Sequence, residues 1–266
     1  MPSSNHRPLI SVITINRNNA EGLRRTLASA AGQTSGDFEH VVIDGASSDG
    51  SREAILEHEQ RLAFWCSEAD TGIYNAMNKG IARASGRYLL FLNSGDHLKE
   101  PTALERAARF LTGEQLVYFD LEVVEPSGAV RRQAFPPHLD FSFFAHYSLA
   151  HPATFIDAGL FQQHGLYDES LKIVSDWKAF LLWVCRHNCT YRAVPEALSV
   201  FYFDGLSSNP DSAPVCMAER ERVLRAEFPT IYDDFREGRT AVQALANLRN
   251  NTVLRWLQSA RLLARF

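Results

Sequence analysis

Short apolar runs alternate with amphipathic stretches over the first hundred residues of the chain. Leu9 to Ile15, Phe38 to Ile43, Leu62 to Cys66 and Tyr88 to Leu92 have strand length and are rich in β-branched and aromatic residues. The intervening stretches, about Ala20 to Ala31, Ser51 to Gln60 and Gly72 to Ala84, carry helical spacing, and in the last of them Ile73, Met77, Ile81 and Ala84 form one apolar stripe. Strand and helix in alternation predict βαβ units and a mostly parallel, Rossmann-like sheet flanked by helices, so the fold class is α/β.

Beyond Asp96 the pattern changes. A helix is expected from Pro101 to Leu111, and a hairpin from Leu116 to Val124 and Ala129 to Phe135 around Pro126-Ser127-Gly128. Loops rich in aromatic residues (Phe141, Phe143, Phe144, Tyr147) follow, then a helix from Ser175 to His187, a strand pair around Tyr191 to Phe203 and C-terminal helices. This half reads as a smaller mixed or antiparallel part. The expected division is 1–96 and 97–205 as two halves of one domain, with 206–266 as a helical tail.

Composition narrows the class. With 266 residues, 45% of them apolar, the chain can bury one sizeable core, which excludes a disordered or fibrous protein. The formal net charge is -4, yet Arg239 to Phe266 holds five arginines and no acidic side chain. An acidic body with a basic tail argues against a nucleic-acid binder, which needs a broad basic face. The polar start, Met1 to Pro8, lacks the apolar segment of a signal peptide, and no run of about 18 apolar residues occurs. The expectation is therefore a cytoplasmic protein, with a peripheral place at the inner face of the plasma membrane open to it. Cys66, Cys185, Cys189 and Cys216 are too few and too irregularly spaced for a disulfide framework and read as reduced thiols.

Ligands of an open parallel sheet bind at the carboxyl ends of its strands. Here those ends carry Thr14, Asn16, Arg17 and Asn18; Asp44 to Gly50; Glu68, Asp70 and Gly72; and Asn93-Ser94-Gly95-Asp96. Each is a common turn or cap residue by itself, but four consecutive strands deliver carboxylate or amide groups to one edge. Asp44 and Asp70 suit a ligand rich in donors, such as a ribose diol and the N–H of a base. No Gly-rich dinucleotide motif or P-loop lysine is present. Asp96 offers a hard oxygen ligand for Mg²⁺ or Mn²⁺ against a diphosphate.

Ile10 to Asn16 (ISVITIN), Val42 to Gly50 (VIDGASSDG), Trp65 to Gly80 (WCSEADTGIYNAMNKG) and Gly86 to Asp96 (GRYLLFLNSGD) resemble, in order, the successive motifs of the family 2 glycosyltransferases. Within that family the wording at Asp70 to Tyr74 and Leu92 to Asp96 is most similar to bacterial enzymes of exopolysaccharide, colanic-acid or O-antigen assembly. The resemblance implies a GT-A fold and an inverting transfer from a nucleotide-sugar donor, a UDP-sugar by default, to a glycan or lipid-linked saccharide acceptor. It further implies that Thr14, Asn16, Asp44 and Asp70 line the nucleoside pocket, with Asn93 and Ser94 beside it and Lys79 near the phosphates. Asp96 would be the metal ligand and Ser175-Asp176-Trp177 would supply the catalytic base, Asp176. The sequence departs from the acidic motif by carrying Asn93 and Gly95 where acids are common, and by Asn75 where many relatives have Asp.

Plain structural roles stand beside these readings. Asp176 would suit the helix dipole as a first-turn carboxylate, Trp177 either stacks on a sugar or fills core, and His151 either meets acceptor or diphosphate or serves as a buried hydrogen-bonder. Asp204 to Ser208 reads as a closing loop. The tail from Val242 to Phe266 has helical spacing among its arginines and suits an anionic membrane surface or a second subunit. Two rivals remain at this level. A non-catalytic sugar-nucleotide-binding scaffold would explain the reduced acidic motif, whereas a sugar-nucleotide pyrophosphorylase would need a Gly-rich N-terminal loop that is missing.

Overall fold

The computed structural model describes residues 7–202 and 210–238. Two compact units result, Met1–Cys216 and Met217–Phe266. The elements run β1 (Ile10–Asn16), α1 (Ala20–Ala31), β2 (Phe38–Asp44), α2 (Ser51–His58), β3 (Phe64–Ser67), α3 (Ile73–Arg83), β4 (Tyr88–Phe91), β5 (His97–Leu98), α4 (Ala103–Ala108), β6 (Leu116–Val124), β7 (Val130–Gln133), α5 (Phe141–His146), β8 (Thr154–Asp157), α6 (Ala158–His164), α7 (Ser175–Cys185), β9 (Tyr191–Tyr202) and α8 (Ala213–Glu227).

The first half folds as its pattern predicts. β3, β2, β1 and β4 lie side by side and parallel, with Ile10 opposite both Phe38 and Tyr88. All seven residues of β1 are buried, the mark of a central parallel strand covered on both faces. α3 comes very close to this sheet at Gly80, where an added Cβ would stand 2.5 Å from Ile13 Cγ2. Any larger residue there would push the helix off the strand. The buried side of α3 is turned from the expected stripe. Tyr74, Ala76, Met77 and Asn78 are its buried side chains, whereas Ile73 and Ile81 are only partly covered.

The second half continues the same sheet. β8 pairs antiparallel with β4 and with β6, β6 runs parallel to β9, and β5 and β7 add short antiparallel ladders to β9 and β6. The expected hairpin is present, its turn closed by Gly128 at φ +83°. Three expectations change. The strand pair expected around Tyr191 to Phe203 is, over the described residues, the single strand β9 (Tyr191–Tyr202), and the register steps from Phe119↔Val194 to Asp120↔Ala197, so Pro195 sits in a bulge. α4 is shorter than Pro101 to Leu111, because its end tightens into i→i+3 bonds from Arg109 and Phe110. The aromatic stretch holds a helix, α5, capped by Asp140, whose carboxylate accepts from Phe143 N at 2.7 Å. One apolar core built on Ile10, Leu90, Phe119 and Phe155 spans both halves.

Among the described residues no helix is long and apolar enough to cross a membrane. The loop 204–208 and the basic tail 242–266 lie outside the described residues.

Candidate active site

The parallel register sets the strand ends in line. Asn16 faces Asp44, and Asp44 faces Ser67, at the carboxyl ends of β1, β2 and β3. Asp44 is fully buried and takes four hydrogen bonds. Asn16 Nδ2 (2.7 Å) and Ser47 Oγ (2.6 Å) donate to Oδ1, and Ser47 N (3.0 Å) and Ser67 Oγ (2.6 Å) donate to Oδ2. Burial alone would raise its pKa, but the donors from Ser47, Ser67 and Asn16 outweigh it and hold the carboxyl below its ordinary value. Asn16 Oδ1 is buried beside this cluster with no donor.

Thr14 is part of the floor of this region instead of its lining. It is fully buried, and its one proton goes to the Leu92 carbonyl at 2.8 Å. Its oxygen must therefore accept from His40 Nε2 at 2.9 Å. Burial, with His58 in the vicinity, pulls His40 down to about 4, so the ring stays neutral.

Asp70 lies over Gly45, where an added Cβ would meet Oδ2 at 2.3 Å, so any larger residue there would displace the Asp70 carboxylate. Asp70 Oδ1 accepts from Gly72 N at 3.1 Å, and Arg17 Nη1 stands 3.6 Å away with 65% of its side chain exposed. Arg17 is a cation at this edge that sequence reasoning passed over as a turn residue. Lys79, expected near phosphates, instead pairs with Glu68 at 2.8 Å and donates to the Ala69 carbonyl at 3.0 Å.

The turn after β4 hangs from one hydroxyl of α1. Thr26 Oγ accepts from Gly95 N at 3.0 Å and lies 2.6 Å from the Asp96 carbonyl and 3.3 Å from that of Asn93. Asn19 Nδ2 adds a bond to the Ser94 carbonyl at 3.1 Å. Gly95 takes φ +110°, which fits a non-glycine residue poorly. Asp96 is 7% exposed, and Asn93 Oδ1 is buried without a donor. One carboxylate and one unpaired amide oxygen are both hard oxygen donors, so this turn fits Mg²⁺ or Mn²⁺ in kind, with the rest of the shell left to phosphate and water. Among the described residues no cluster of three or more His, Cys, Asp or Glu could hold a metal alone.

The second half brings Asp176 into contact with the first. Ser175 and Asp176 open α7, and the Asp176 side chain is 24% exposed. Tyr74, on the first turn of α3, places its hydroxyl 2.7 Å from Asp176 Oδ1. His151 Nδ1 stands 3.7 Å from Oδ2, and its Nε2 shares a 2.9 Å hydrogen bond with the Tyr167 hydroxyl. Burial lowers the His151 pKa although Asp176 pulls the other way, so the ring is neutral and buried, in van der Waals company with Phe91 and Phe180. Trp177 has no exposed ring face to offer a sugar: it is 1% exposed and its indole donates to the Phe144 carbonyl at 2.7 Å. Burial pushes the thiols of Cys185 and Cys189 up to about 11 and about 12, so both stay protonated.

Comparison with known proteins adds kinship to this geometry. The sequence profile of glycosyl transferase family 2 matches residues 11–161. An uncharacterized glycosyltransferase of Mycobacterium tuberculosis is 36% identical over 179 residues, which cover 65% of this chain and 68% of that protein. A PGL/p-HBAD biosynthesis glycosyltransferase of Mycobacterium bovis is 34% identical over 176 residues, 64% of this chain and 67% of the relative. Among solved structures, S. aureus TarS 1-349 in complex with UDP-GlcNAc aligns with a TM-score of 0.64 at 19% identity, over 81% of this chain and 66% of that one. The chain spans 60% of the same TarS segment in complex with UDP. Mannosyltransferase PcManGT from Pyrobaculum calidifontis, in complex with GDP-Man and Mn²⁺, aligns with a TM-score of 0.59 at 14% identity, over 96% of this chain and 84% of that one. At these identities the structural likeness speaks for the fold alone.

Proposed function

The chain belongs to glycosyl transferase family 2 and has the GT-A fold, and from that premise we propose that it moves a sugar with inversion from a nucleotide-diphosphate donor to a glycan or lipid-linked saccharide acceptor in the assembly of a bacterial surface glycan. The observation that carries the reading is Asp176, a partly exposed carboxylate at the start of α7, held by the hydroxyl of Tyr74 from the donor half. Names of relatives in PGL/p-HBAD biosynthesis support the glycan class, and the UDP-GlcNAc complex of TarS and the GDP-Man complex of PcManGT support a nucleotide-sugar donor, for which a UDP-sugar is the default. Family membership sets aside the pyrophosphorylase alternative.

In this reading Asp44, Asn16 and Asp70 frame the nucleoside end of the pocket, and Arg17 faces the diphosphate with a positive charge. A divalent ion held by Asp96 and Asn93 Oδ1, beside Ser94, would supply charge stabilisation for the departing diphosphate. Asp176 takes the proton of the acceptor hydroxyl as that oxygen attacks the anomeric carbon. The bond between the anomeric carbon and the diphosphate oxygen breaks with its electron pair left on the diphosphate. A single displacement of this kind inverts the anomeric centre.

The test is turnover and binding of UDP-, GDP- and dTDP-sugars with Mn²⁺ or with chelator, followed by NMR assignment of the product anomer. Turnover of one donor that is lost with chelator and with Asp96→Ala, giving the inverted anomer, is the expected result. Binding of none of the donors under any metal condition, or a retained anomer, would overturn the proposal. Binding without turnover on any acceptor would favour the scaffold reading, for which the single carboxylate of the Asn93 to Asp96 turn is the supporting observation.

A further inference from the structure

Tyr74 follows Gly72 by two residues and so belongs to the same loop-to-helix turn that carries Asp70. Its ring is 3% exposed, and its hydroxyl lies 2.6 Å from the Ile173 carbonyl and 2.7 Å from Asp176 Oδ1. A phenol has one proton and can donate to only one of these at a time. We propose that Tyr74 is a positioning residue for the transfer reaction, its hydroxyl holding Asp176 Oδ1 so that Oδ2 keeps its lone pairs for the acceptor proton. This rests on Asp176 being the base.

Two features of the structure support a role beyond packing. The phenol suits both forms of its neighbour. While Asp176 is ionised the proton points at Oδ1, and once Asp176 has taken the acceptor proton the phenol can turn to the Ile173 carbonyl without movement of any heavy atom. Burial and the charge of Asp176 push the phenol well above its ordinary range, so it remains a donor throughout. The other neighbour, His151 Nδ1, stands at 3.7 Å from Oδ2, beyond hydrogen-bond reach.

The placement is also stiff. Asn78, one turn along α3, bonds the Tyr167 carbonyl and the Tyr167 N–H, both at 3.0 Å, and Asn75 and Asn78 both reach Glu169. The segment leading into α7 is thereby tied to the helix that bears Tyr74, which fixes the hydroxyl relative to the carboxylate. The donor-side motif and the base are joined by the same helix.

The experiment compares kcat and KM for hydrolysis of the nucleotide-sugar that the donor panel identifies, in wild type, Tyr74→Phe, Asp176→Asn and the double variant. Tyr74→Phe keeps the buried ring, and its melting temperature checks the fold. The expected result is a kcat roughly 10-fold lower in Tyr74→Phe with donor KM within about twofold, and no further loss when it is added to Asp176→Asn. An unchanged kcat, a loss confined to donor KM, or losses that multiply in the double variant would overturn the inference. If the Asp176→Asn rate falls below detection, the split between kcat and KM in Tyr74→Phe decides. Full activity of Asp176→Asn would instead overturn the assignment of the base, a separate failure from that of Tyr74.

Discussion

The surroundings of Asp44 and of Asp176 show two ways of using a carboxylate. Asp44 is fully buried and its two oxygens take four hydrogen bonds, so its charge is spent within the protein. Asp176 is partly exposed, with one oxygen held by Tyr74 and the other 3.7 Å from a neutral histidine. A saturated carboxylate organises loops, whereas one held on a single side stays open to a proton. In the proposed transfer the strand ends of the first half would act as a preformed frame, and the start of α7 would leave room for the proton transfer.

This contrast is open to attack at several points. Asp44→Ala should have the largest effect on stability, about 3 kcal/mol, because Ser47, Ser67 and Asn16 would lose their shared acceptor in a buried place. Denaturant unfolding measures it, and a loss under about 1 kcal/mol would show that Asp44 is not the knot it looks to be.

A smaller effect is expected from pH. Unfolded His40 titrates near its ordinary 6.5, whereas folded His40 takes no proton until about 4. Between these values the unfolded state holds the extra proton, so stability falls as pH drops from 6.5 to 4. His40→Gln can still donate to Thr14 but does not titrate, and it should flatten that slope in unfolding curves. His151, also lowered by burial, would leave part of the slope in place.

The smallest effect belongs to Lys79. Its ion pair with Glu68 is partly exposed on both sides, so solvent screens it and it adds little to stability. Lys79→Met should leave donor KM within about twofold. A tenfold rise would return Lys79 to the phosphates, where the family resemblance puts it.

The four parallel strands and their three helices were legible because each apolar run was long enough to show its period. The polar strand ends were legible because turn residues recurred after every one of them. Other features depended on partners distant in the chain. β8 has four residues, too few for a pattern, and is defined by pairing with β4 and β6. Tyr74 and Asn78 face inward because their polar ends meet Ile173, Asp176 and Tyr167 about 90 to 100 residues away, a compensation that no apolar stripe reveals. Trp177 looked equally fit for a sugar or for the core, and the Phe144 carbonyl, 33 residues away, takes its indole N–H. The strand pair expected from Tyr191 onward is a single strand, β9, whose bulge opposite Phe119 and Asp120 takes in Pro195 and depends on pairing with β6.

The account stands most directly on Asp176→Asn, measured for donor binding and for sugar transfer in the same preparation. It predicts donor affinity within about twofold of wild type and turnover reduced by roughly 100-fold or more, the range lost with a general base. Turnover near the wild-type rate, or a loss explained wholly by weaker donor binding, would contradict the assignment of the base and with it the division of labour between the two regions.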